Sequence, residues 1–432
     1  MTDPVALNTP LVKEAADQMA ASMVPNIREV VARDGLPHLA HAIVGWGDGR
    51  LDGLSLCDRI AEFATAGDAG PVVPQCDPEG DFHPWQSFAY SAMAGCDGDR
   101  PLGTFDFSMR GIIRASRVLQ TSENRELGHL LYALATYDPD PNGPPFVMDG
   151  VEVPVAELPE RAVEAHIYGG FQVCRKFHLT EGLCAAVACI PGFEAWRPHA
   201  EGFLDGQMTV MEVFALIMEL AGAVERGGGD RAPLARWRDA LRIGNNLENH
   251  IYYAGHLVEL AALARMHGYS LRPSQLNAAN YVVNATNRTV MSWQKHLNFG
   301  DSFLALGHLR RASTLWMALE NGEITEPGQR KEVLRRFVVD FDATNTRVPA
   351  PEPVPVPEGS VYAVARTVPE PRPIFAQMIA AYEKTAPPAG LGTRGTFDHF
   401  RRIGPPHWPR SVHYELLDHE HAIGVEIHLE KD

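Results

Sequence analysis

Two segments of the sequence share the pattern His-Leu-x-Glu, at His178 to Glu181 and at His256 to Glu259. Residues three apart lie on the same face of a helix, so each imidazole stands beside its own carboxylate. Such a pair can supply two ligands to one metal, or the carboxylate can orient the histidine that binds it. Both pairs lie in apolar runs, FHLTEGLCAAVA and AGHLVELAALA. The pattern predicts a buried site for a divalent transition metal, with a surface ion pair as the alternative.

The stretch around the second pair, from Arg242 to Tyr269, carries polar groups on two neighbouring faces of one predicted helix. One face holds Asn246, His250, Tyr253 and Leu257, and the other holds Tyr252, His256, Glu259 and Leu263. A polar group buried without a partner costs about 1–3 kcal/mol. We therefore expect these side chains to meet partners or a ligand, and we place this helix at the centre of the protein.

Histidines also recur along the chain near the starts or in the first halves of predicted helices. They are His38, His83, His129, His178, His250 and His308. The steps between them are close to the length of one helical hairpin. A ring of antiparallel helix pairs, in which each inner helix offers a polar group to a shared central cavity, would produce such steps. The alternative is chance recurrence among the 18 histidines of the chain, with His129 and His308 as ordinary buried side chains.

The elements that must position these groups are mostly helices. Apolar residues recur at helical spacing through residues 1–347, which predicts a mainly α domain of α/α toroid-like hairpins around a central cavity. A short β-hairpin is expected around Asp149-Gly150. The segment 348–359, VPAPEPVPVPEG, reads as an extended proline-rich linker. Residues 360–432 then favour a small α/β module, with a strand at 361–364, a helix at 374–384 and a loop at 390–395. The module ends in a hairpin around Asp418 to Glu420.

Composition narrows the class of protein. The chain has 432 residues, of which 45% are hydrophobic and 21% charged, with a formal net charge of −16. Such acidity argues against binding to nucleic acid or to a membrane surface, since both need clustered Lys and Arg. The N-terminus lacks the basic start and apolar core of a signal peptide, and the most apolar run, Met208 to Val224, is too short and too charged to span a membrane. We expect a cytoplasmic protein.

The cysteines agree with that compartment, because none of them forms a C-x-x-C pair. They are Cys57, Cys76, Cys96, Cys174, Cys184 and Cys189. We expect them to be reduced and mostly buried thiols, rather than disulfides or zinc ligands.

Several pieces of the sequence, in order, resemble the questin oxidase-like family of helical oxygenases. They are PHLAHAIVGW with His38, HPWQSFAYSAMAG with His83, FSMRGIIRASRVLQTSENRELGHLLYALATY, KFHLTEGLCAA with His178 and Thr180, and LENHIYYAGH with Glu248 and His250. Together they span about residues 35 to 265. The C-terminal module lies outside this resemblance.

The resemblance implies oxidation of a fused-ring aromatic small molecule, such as an anthraquinone, with ring opening. It implies a four-histidine iron site, and the matching residues are His38, His83, His178 and His250. Zinc is the alternative metal, and dioxygen and a reductant are the implied co-reactants. The family's lysine after the acidic-His pair has no match, because Tyr252 and Tyr253 stand there. A different alignment of the second histidine would place Arg110 at that ligand position.

Candidate roles follow for the other polar and aromatic groups. Tyr253 could hydrogen-bond or deprotonate a phenolic substrate, and Trp85 and Tyr90 could form an apolar wall for an aromatic ring, with core packing as the alternative. The remaining candidates are Glu181, Glu259 and Asn249 for catalysis and Tyr252 and His256 for substrate binding.

Two rival functions stay open on the sequence alone. The segment NNLENHIYYA resembles the Asn-His helix of α/α-toroid polysaccharide lyases. There Asn249 would neutralise a uronate, while His250 and Tyr253 would exchange protons with the sugar. The other rival is a non-catalytic helical binding protein whose histidines are structural.

Overall fold

The computed structural model describes residues 5–23, 27–28, 31, 35–68, 70–73, 84–119, 123–168, 173–226, 247–297, 302–326, 329–343, 394–397, 412–419 and 422–429. These residues are mainly helical, which confirms the predicted fold class. The α-helices are α1 (Thr9–Met23), α2 (Leu36–Trp46), α3 (Pro84–Met93), α4 (Met109–Ser116), α5 (Glu123–Tyr137), α6 (Leu158–Tyr168), α7 (Val173–Cys189), α8 (Arg197–Arg226), α9 (Leu247–Met266), α10 (Pro273–Trp293), α11 (Phe303–Glu320) and α12 (Arg330–Arg336). Short 3-10 helices lie at Asp58–Phe63, Val155–Glu157, Glu194–Trp196 and Gln294–His296.

Local sequence signals set several helix ends. The Ser108 hydroxyl accepts a hydrogen bond of 3.3 Å from the backbone N–H of Gly111 and so caps α4. Pro37 and Pro273 stand in the first turns of α2 and α10, where a missing backbone N–H costs nothing.

Six helices of the described part pack in a closed circuit. Helix α2 packs against α3, α3 against α5, α5 against α7, α7 against α9, α9 against α11, and α11 returns to α2. Helices α1, α8 and α10 pack on this circuit, since α1 contacts α10 and α11 while α8 contacts α7, α9 and α10. The circuit brings together helices that are far apart in sequence. The finer arrangement, a toroid built of successive hairpins, stays a prediction.

Glycines allow the backbones of this circuit to approach closely. A Cβ added to Gly45 of α2 would lie 2.5 Å from the Cα of Gly307 on α11. A Cβ added to Gly255 of α9 would lie 2.8 Å from the backbone nitrogen of Leu309. On α5, a Cβ at Gly128 would collide with the backbone of α7 at His178. A larger side chain at any of these crossings would force two helices apart.

Helix α11 is buried on nearly all sides, from Phe303 to Ala318. Its buried Arg310 donates hydrogen bonds of 3.2, 2.8 and 2.8 Å to three carbonyl oxygens, those of Ala16, Gly45 and Phe337. Burial lowers the pKa of Arg310 to about 10, so the guanidinium stays charged at neutral pH. Arg310 therefore ties α11 to α1, to α2 and to the end of α12 by charge-assisted hydrogen bonds.

The strands are short and antiparallel. β1 (Arg50–Leu51) pairs with β2 (Leu54–Ser55), β3 (Thr65–Gly67) with β4 (Gly70–Val72), and β5 (Phe146–Met148) with β6 (Val151–Val153). The turn between β5 and β6 has φ of 45° at Asp149 and 84° at Gly150. These values confirm the hairpin that the sequence predicts there.

A three-stranded sheet in the C-terminal region has the order β7 (Arg394–Phe397), β8 (Val412–His419) and β9 (Ala422–Leu429). Strands β8 and β9 form the predicted hairpin, with His419 opposite Ala422. The segment 390–395, expected to be a loop, already enters β7 at Arg394. The linker 348–359, the strand expected at 361–364 and the helix expected at 374–384 lie outside the described residues, so the domain boundaries stay a prediction.

The expectation that all six cysteines are reduced is wrong for two of them, because Cys57 and Cys96 form a disulfide. They lie 39 residues apart, with Cys57 directly before the 3-10 helix Asp58–Phe63 and Cys96 three residues after the end of α3. Two cysteines this far apart form no short sequence motif, so the sequence alone could not indicate the disulfide. Cys184 and Cys189 are free thiols, and Cys76 and the side chain of Cys174 lie outside the described part. None of the helices in the described ranges has the length and apolar character that a membrane span needs. A cytoplasmic location stays a prediction.

Candidate metal centre

Each helix of the closed circuit contributes one buried ring to a common cluster. The rings belong to His41 of α2, Tyr90 of α3, His129 of α5, His178 of α7, His256 of α9 and His308 of α11. The centroids of the rings of His129 and His178 lie 4.3 Å apart, and those of His256 and His308 lie 4.0 Å apart. The two pairs adjoin, with 5.1 Å between the centroids of His178 and His256. Five imidazoles and one phenol therefore share one enclosed region.

Glu259 of α9 orients the rings on one side of the cluster. Its Oε2 accepts a hydrogen bond of 2.7 Å from Nδ1 of His308 and lies 3.8 Å from Nδ1 of His256. Its Oε1 accepts a hydrogen bond from the buried guanidinium of Arg311. Burial by itself raises the pKa of Glu259, but its interactions with His308 and with the guanidinium of Arg311 outweigh burial and leave that pKa below its usual value. Glu259 is therefore a carboxylate.

Ligand atoms of His256, Glu259 and His308 lie within 4.8 Å of one another. These three buried residues form a group that could hold a metal ion. Imidazole nitrogen and carboxylate oxygen are both ordinary ligands of divalent transition metals.

A second carboxylate orients the other side of the cluster. Nδ1 of His178 donates a hydrogen bond of 3.0 Å to Oε2 of Glu181, one turn along α7. Burial raises the pKa of Glu181, and the hydrogen bond from His178 opposes the shift without cancelling it. The His-x-x-Glu spacing of the sequence thus gives a real pair here, and both members are buried rather than on the surface.

The rings fixed at Nδ1 turn Nε2 toward the phenol of Tyr90. The phenolic oxygen lies 3.5 Å from Nε2 of His178 and 3.4 Å from Nε2 of His308. His41 follows the same pattern, because its Nδ1 donates a hydrogen bond of 2.7 Å to the carbonyl oxygen of Pro37. Burial, and then the neighbouring His308, lower the pKa of His41 well below its usual value. A neutral imidazole whose Nδ1–H is held by an acceptor is the form that binds a metal through Nε2.

His256 supplies the clearest sign that the cluster is built for a ligand. Both of its ring nitrogens are buried, and within the described part of the chain neither has a hydrogen-bond partner. Burial, followed by the nearby His308, lowers the pKa of His256 well below its usual value. A buried polar group without a hydrogen bond is rare in folded proteins and calls for an ion, a water or a ligand. The cluster therefore fits a metal that prefers imidazole ligands.

Of the four predicted ligands, the structure places one in this cluster, His178. The ring of His38 stacks on that of Phe303 with 5.9 Å between centroids, one turn of α2 before His41. His250 is buried, and the centroid of its ring lies 5.2 Å from that of Phe214. His83 lies outside the described residues. A ligand role for His38, His83 and His250 stays a prediction.

The other candidates divide into two groups. Glu181, Glu259, His256 and Tyr90 lie in the cluster, and Tyr252 lies beside it, with its ring centroid 4.4 Å from that of His256. Trp85 packs against Phe88 and Phe146, with centroids 5.3 and 5.5 Å away, which is the packing of a core residue.

Tyr253 is half-buried, with its ring centroid 6.4 Å from that of Tyr252. Asn249 lies on α9, but its side chain is outside the described part.

His41 is a member of the site that the sequence did not indicate. His129 and His308 belong to the histidine recurrence that predicts a shared central cavity, but neither was singled out as a ligand. One signal was present, because three of the cluster histidines directly follow a glycine, in the pairs Gly128-His129, Gly255-His256 and Gly307-His308. At each pair the glycine lies against a neighbouring helix of the circuit. A glycine before a histidine on a buried helix therefore marks the positions where the inner helices cross.

Comparison with known proteins identifies no relative. No protein-family model matches the chain, and no match was found among curated proteins or among solved structures.

Proposed function

We propose that this protein is a metal-dependent oxidoreductase that acts on an aromatic or polycyclic small molecule. A divalent transition metal would be held by the imidazoles of His178, His256 and His308. The observation that carries the proposal is the convergence of buried imidazoles, two of which are fixed at Nδ1 by buried glutamates. Carboxylate–histidine pairs of this kind orient ligands in metal sites.

The contacts of Glu259 favour an orienting role over direct coordination. Arg311 occupies one carboxylate oxygen, and Nδ1 of His308 occupies the other. A metal bound directly to Glu259 would compete with the guanidinium, whose charge would then remain buried and unpaired. Among His178, His256 and His308, the nitrogens that are left for a metal are Nε2 of His178, Nε2 of His308 and either nitrogen of His256.

An imidazole-rich set suits iron, zinc or copper. Iron agrees best with the resemblance to the questin oxidase-like oxygenases, and bound iron would supply one-electron chemistry and a binding position for dioxygen. The chain's own part would be to exclude water and to present aromatic surface. Tyr252, half-buried with its ring beside His256 and His308, is our candidate for contact with the substrate ring.

The first experiment is metal analysis of the purified, full-length protein, followed by removal of the metal with a chelator and reconstitution with ferrous iron. We expect close to one transition metal per chain. With a panel of hydroxylated polycyclic aromatics, oxygen uptake should require both the metal and a reductant.

The variant H308Q should lose metal and oxygen uptake together, whereas the matched variant H296Q, on a 3-10 turn outside the cluster, should retain both. Absence of bound metal, with none taken up on reconstitution, would overturn the proposal.

The two rival functions would give other results. A lyase would release an unsaturated uronide, seen as ultraviolet absorbance, without any metal. The structure does not favour that reaction, because its proposed base, His250, is only 3% exposed and packs on Phe214. A binding protein would show neither metal nor turnover.

A further inference from the structure

We propose that the phenolic oxygen of Tyr90 is itself a ligand of the metal, alongside the cluster imidazoles. This inference rests on the proposed function, and it changes the role of Tyr90 from a wall of the substrate site to part of the metal centre. Tyr90 is fully buried on α3, and the centroid of its ring lies within 6.0 Å of those of His41, His129, His178 and His308.

The geometry places three potential ligand atoms around one point. The phenolic oxygen lies 3.5 Å from Nε2 of His178 and 3.4 Å from Nε2 of His308. Both imidazoles come from helices that are not neighbours of α3 in the circuit, α7 and α11, so the phenol reaches into the cluster to meet them. These contacts are long for hydrogen bonds made by a hydroxyl, whose usual length is about 2.7–2.8 Å.

The phenolic oxygen of Tyr90 and Nε2 of His178 and His308 share too few protons to be satisfied together without a cation. A metal binds an imidazole in its neutral form. In that form of His178 and His308, Nδ1 donates to a glutamate, so each Nε2 carries a lone pair toward Tyr90. The phenol has one proton and can donate it to only one of the two. A cation between the three atoms would satisfy both imidazoles and the oxygen at once.

Two further observations favour an anionic oxygen at this position. Gln86, one turn before Tyr90 on α3, donates a hydrogen bond of 3.2 Å from Nε2 to the phenolic oxygen, as an outer partner of a ligand would. The charge balance points the same way. Imidazole ligands bring no negative charge, and Arg311 offsets the charge of Glu259, which leaves Glu181 as one carboxylate beside a divalent or trivalent metal. A phenolate at Tyr90 would supply the further negative charge.

Bonds and protons balance simply when Tyr90 coordinates the metal. The O–H bond of the phenol breaks, an oxygen–metal bond forms, and the proton leaves to solvent. Metal binding therefore releases one proton per chain from this residue, and no electron is transferred.

Ferric iron bound to a phenolate absorbs visible light through ligand-to-metal charge transfer, which gives the test. Full-length protein, stripped with a chelator and reloaded with ferric iron, should show a visible band and phenolate vibrations in its resonance Raman spectrum. The variant Y90F should lose the band and bind iron about tenfold or more weakly. The matched variant Y132F should keep both, because the buried Tyr132 hydroxyl makes no hydrogen bond in the described part of the chain. Equal melting curves for the two variants would show that folding is intact.

The outcomes separate this inference from the proposed function. Iron bound in the wild type without a visible band or phenolate vibrations would overturn the role of Tyr90 and leave the metal site standing. A band that persists unchanged in Y90F would also overturn it. If the wild type takes up no iron at all, the proposed function and the inference both fail. Because the Raman measurement uses the wild-type protein, a missing phenolate signal overturns the role of Tyr90 even if Y90F folds poorly.

Discussion

His308 and Glu259 are joined by a hydrogen bond of 2.7 Å between two fully buried side chains on neighbouring helices, α11 and α9. The same carboxylate binds the guanidinium of Arg311, one turn further along α11. Glu259 therefore fixes the orientation of an imidazole and balances a buried charge at once. Experiments can separate these two roles, because only the orientation of the imidazole concerns the metal.

We expect the variant E259Q to lose both the charge balance of Arg311 and the orientation of His308. The neutral amide leaves the charge of Arg311 buried and uncompensated, which costs about 3–5 kcal/mol in the free energy of unfolding. Loss of the partner that orients a metal-binding histidine costs about 10–100-fold in metal affinity. Urea unfolding of the metal-free protein measures the first effect, and competition with a chelator of known affinity measures the second.

The double variant E259Q/R311M supplies the control for that prediction. Removal of the guanidinium should restore most of the stability, since no buried charge remains, but it should not restore metal affinity. If the double variant binds metal as tightly as the wild type, Glu259 does not act through His308.

The sequence predicts the local pairs of this site but not which distant residues pair with them. His178 with Glu181 and His256 with Glu259 are each three residues apart, so helical periodicity alone places them together. His308 is 49 residues from Glu259, and no spacing rule connects them.

The same limit separates His38 from His41. They share a face of α2, and only the packing of that helix decides that the ring of His41 enters the cluster while that of His38 stacks on Phe303. The mainly helical fold was predictable because periodicity is local, and the disulfide was not, because it depends on tertiary contact.

The glycines at which helices of the circuit approach each other closely give a second prediction. In the variant G128A, the added methyl would meet the backbone of α7 at His178, and we expect a loss of about 1–3 kcal/mol in the free energy of unfolding. Metal affinity should fall as well, because α5 and α7 carry adjoining histidines. The matched variant G111A, on α4, meets only the Ser108 hydroxyl oxygen at 3.7 Å and should be neutral or slightly more stable. Equal melting temperatures for the two variants would show that α5 and α7 do not need this close approach.

The buried imidazoles predict how stability depends on pH. Burial lowers the pKa values of His41 and His256 well below the usual value, so the native state keeps both rings neutral. The unfolded chain takes up protons below pH about 6.5. The stability that these rings contribute is therefore fully present above about pH 6.5 and falls as the pH drops below it, by at most about 1.4 kcal/mol per pH unit for each ring.

Urea unfolding of metal-free protein from pH 8 to pH 5 measures this dependence. Glu181 has the opposite effect on this pH dependence. Its raised pKa lets the native state keep a proton that the unfolded chain releases as the pH rises above about 4.5, so the stability that Glu181 contributes falls as the pH rises. The comparison with the variant H256N isolates one ring, since Asn cannot titrate. We expect the variant to have the shallower curve below pH 6.5, and parallel curves would show that His256 titrates normally in the native state.

The disulfide gives a prediction that does not depend on the metal. Cys57 and Cys96 close a loop with a sequence separation of 39, for which loop-closure entropy predicts about 4 kcal/mol of stabilisation. The double variant C57A/C96A should lose a comparable amount in urea unfolding. The control variant C189A, which removes an exposed free thiol, should change stability by less than about 0.5 kcal/mol. Alkylation of denatured protein, with and without a reductant, counts the thiols. If the unreduced chain already reacts at both Cys57 and Cys96, the bond is absent in solution, and the two helical segments that it joins must be held by packing alone.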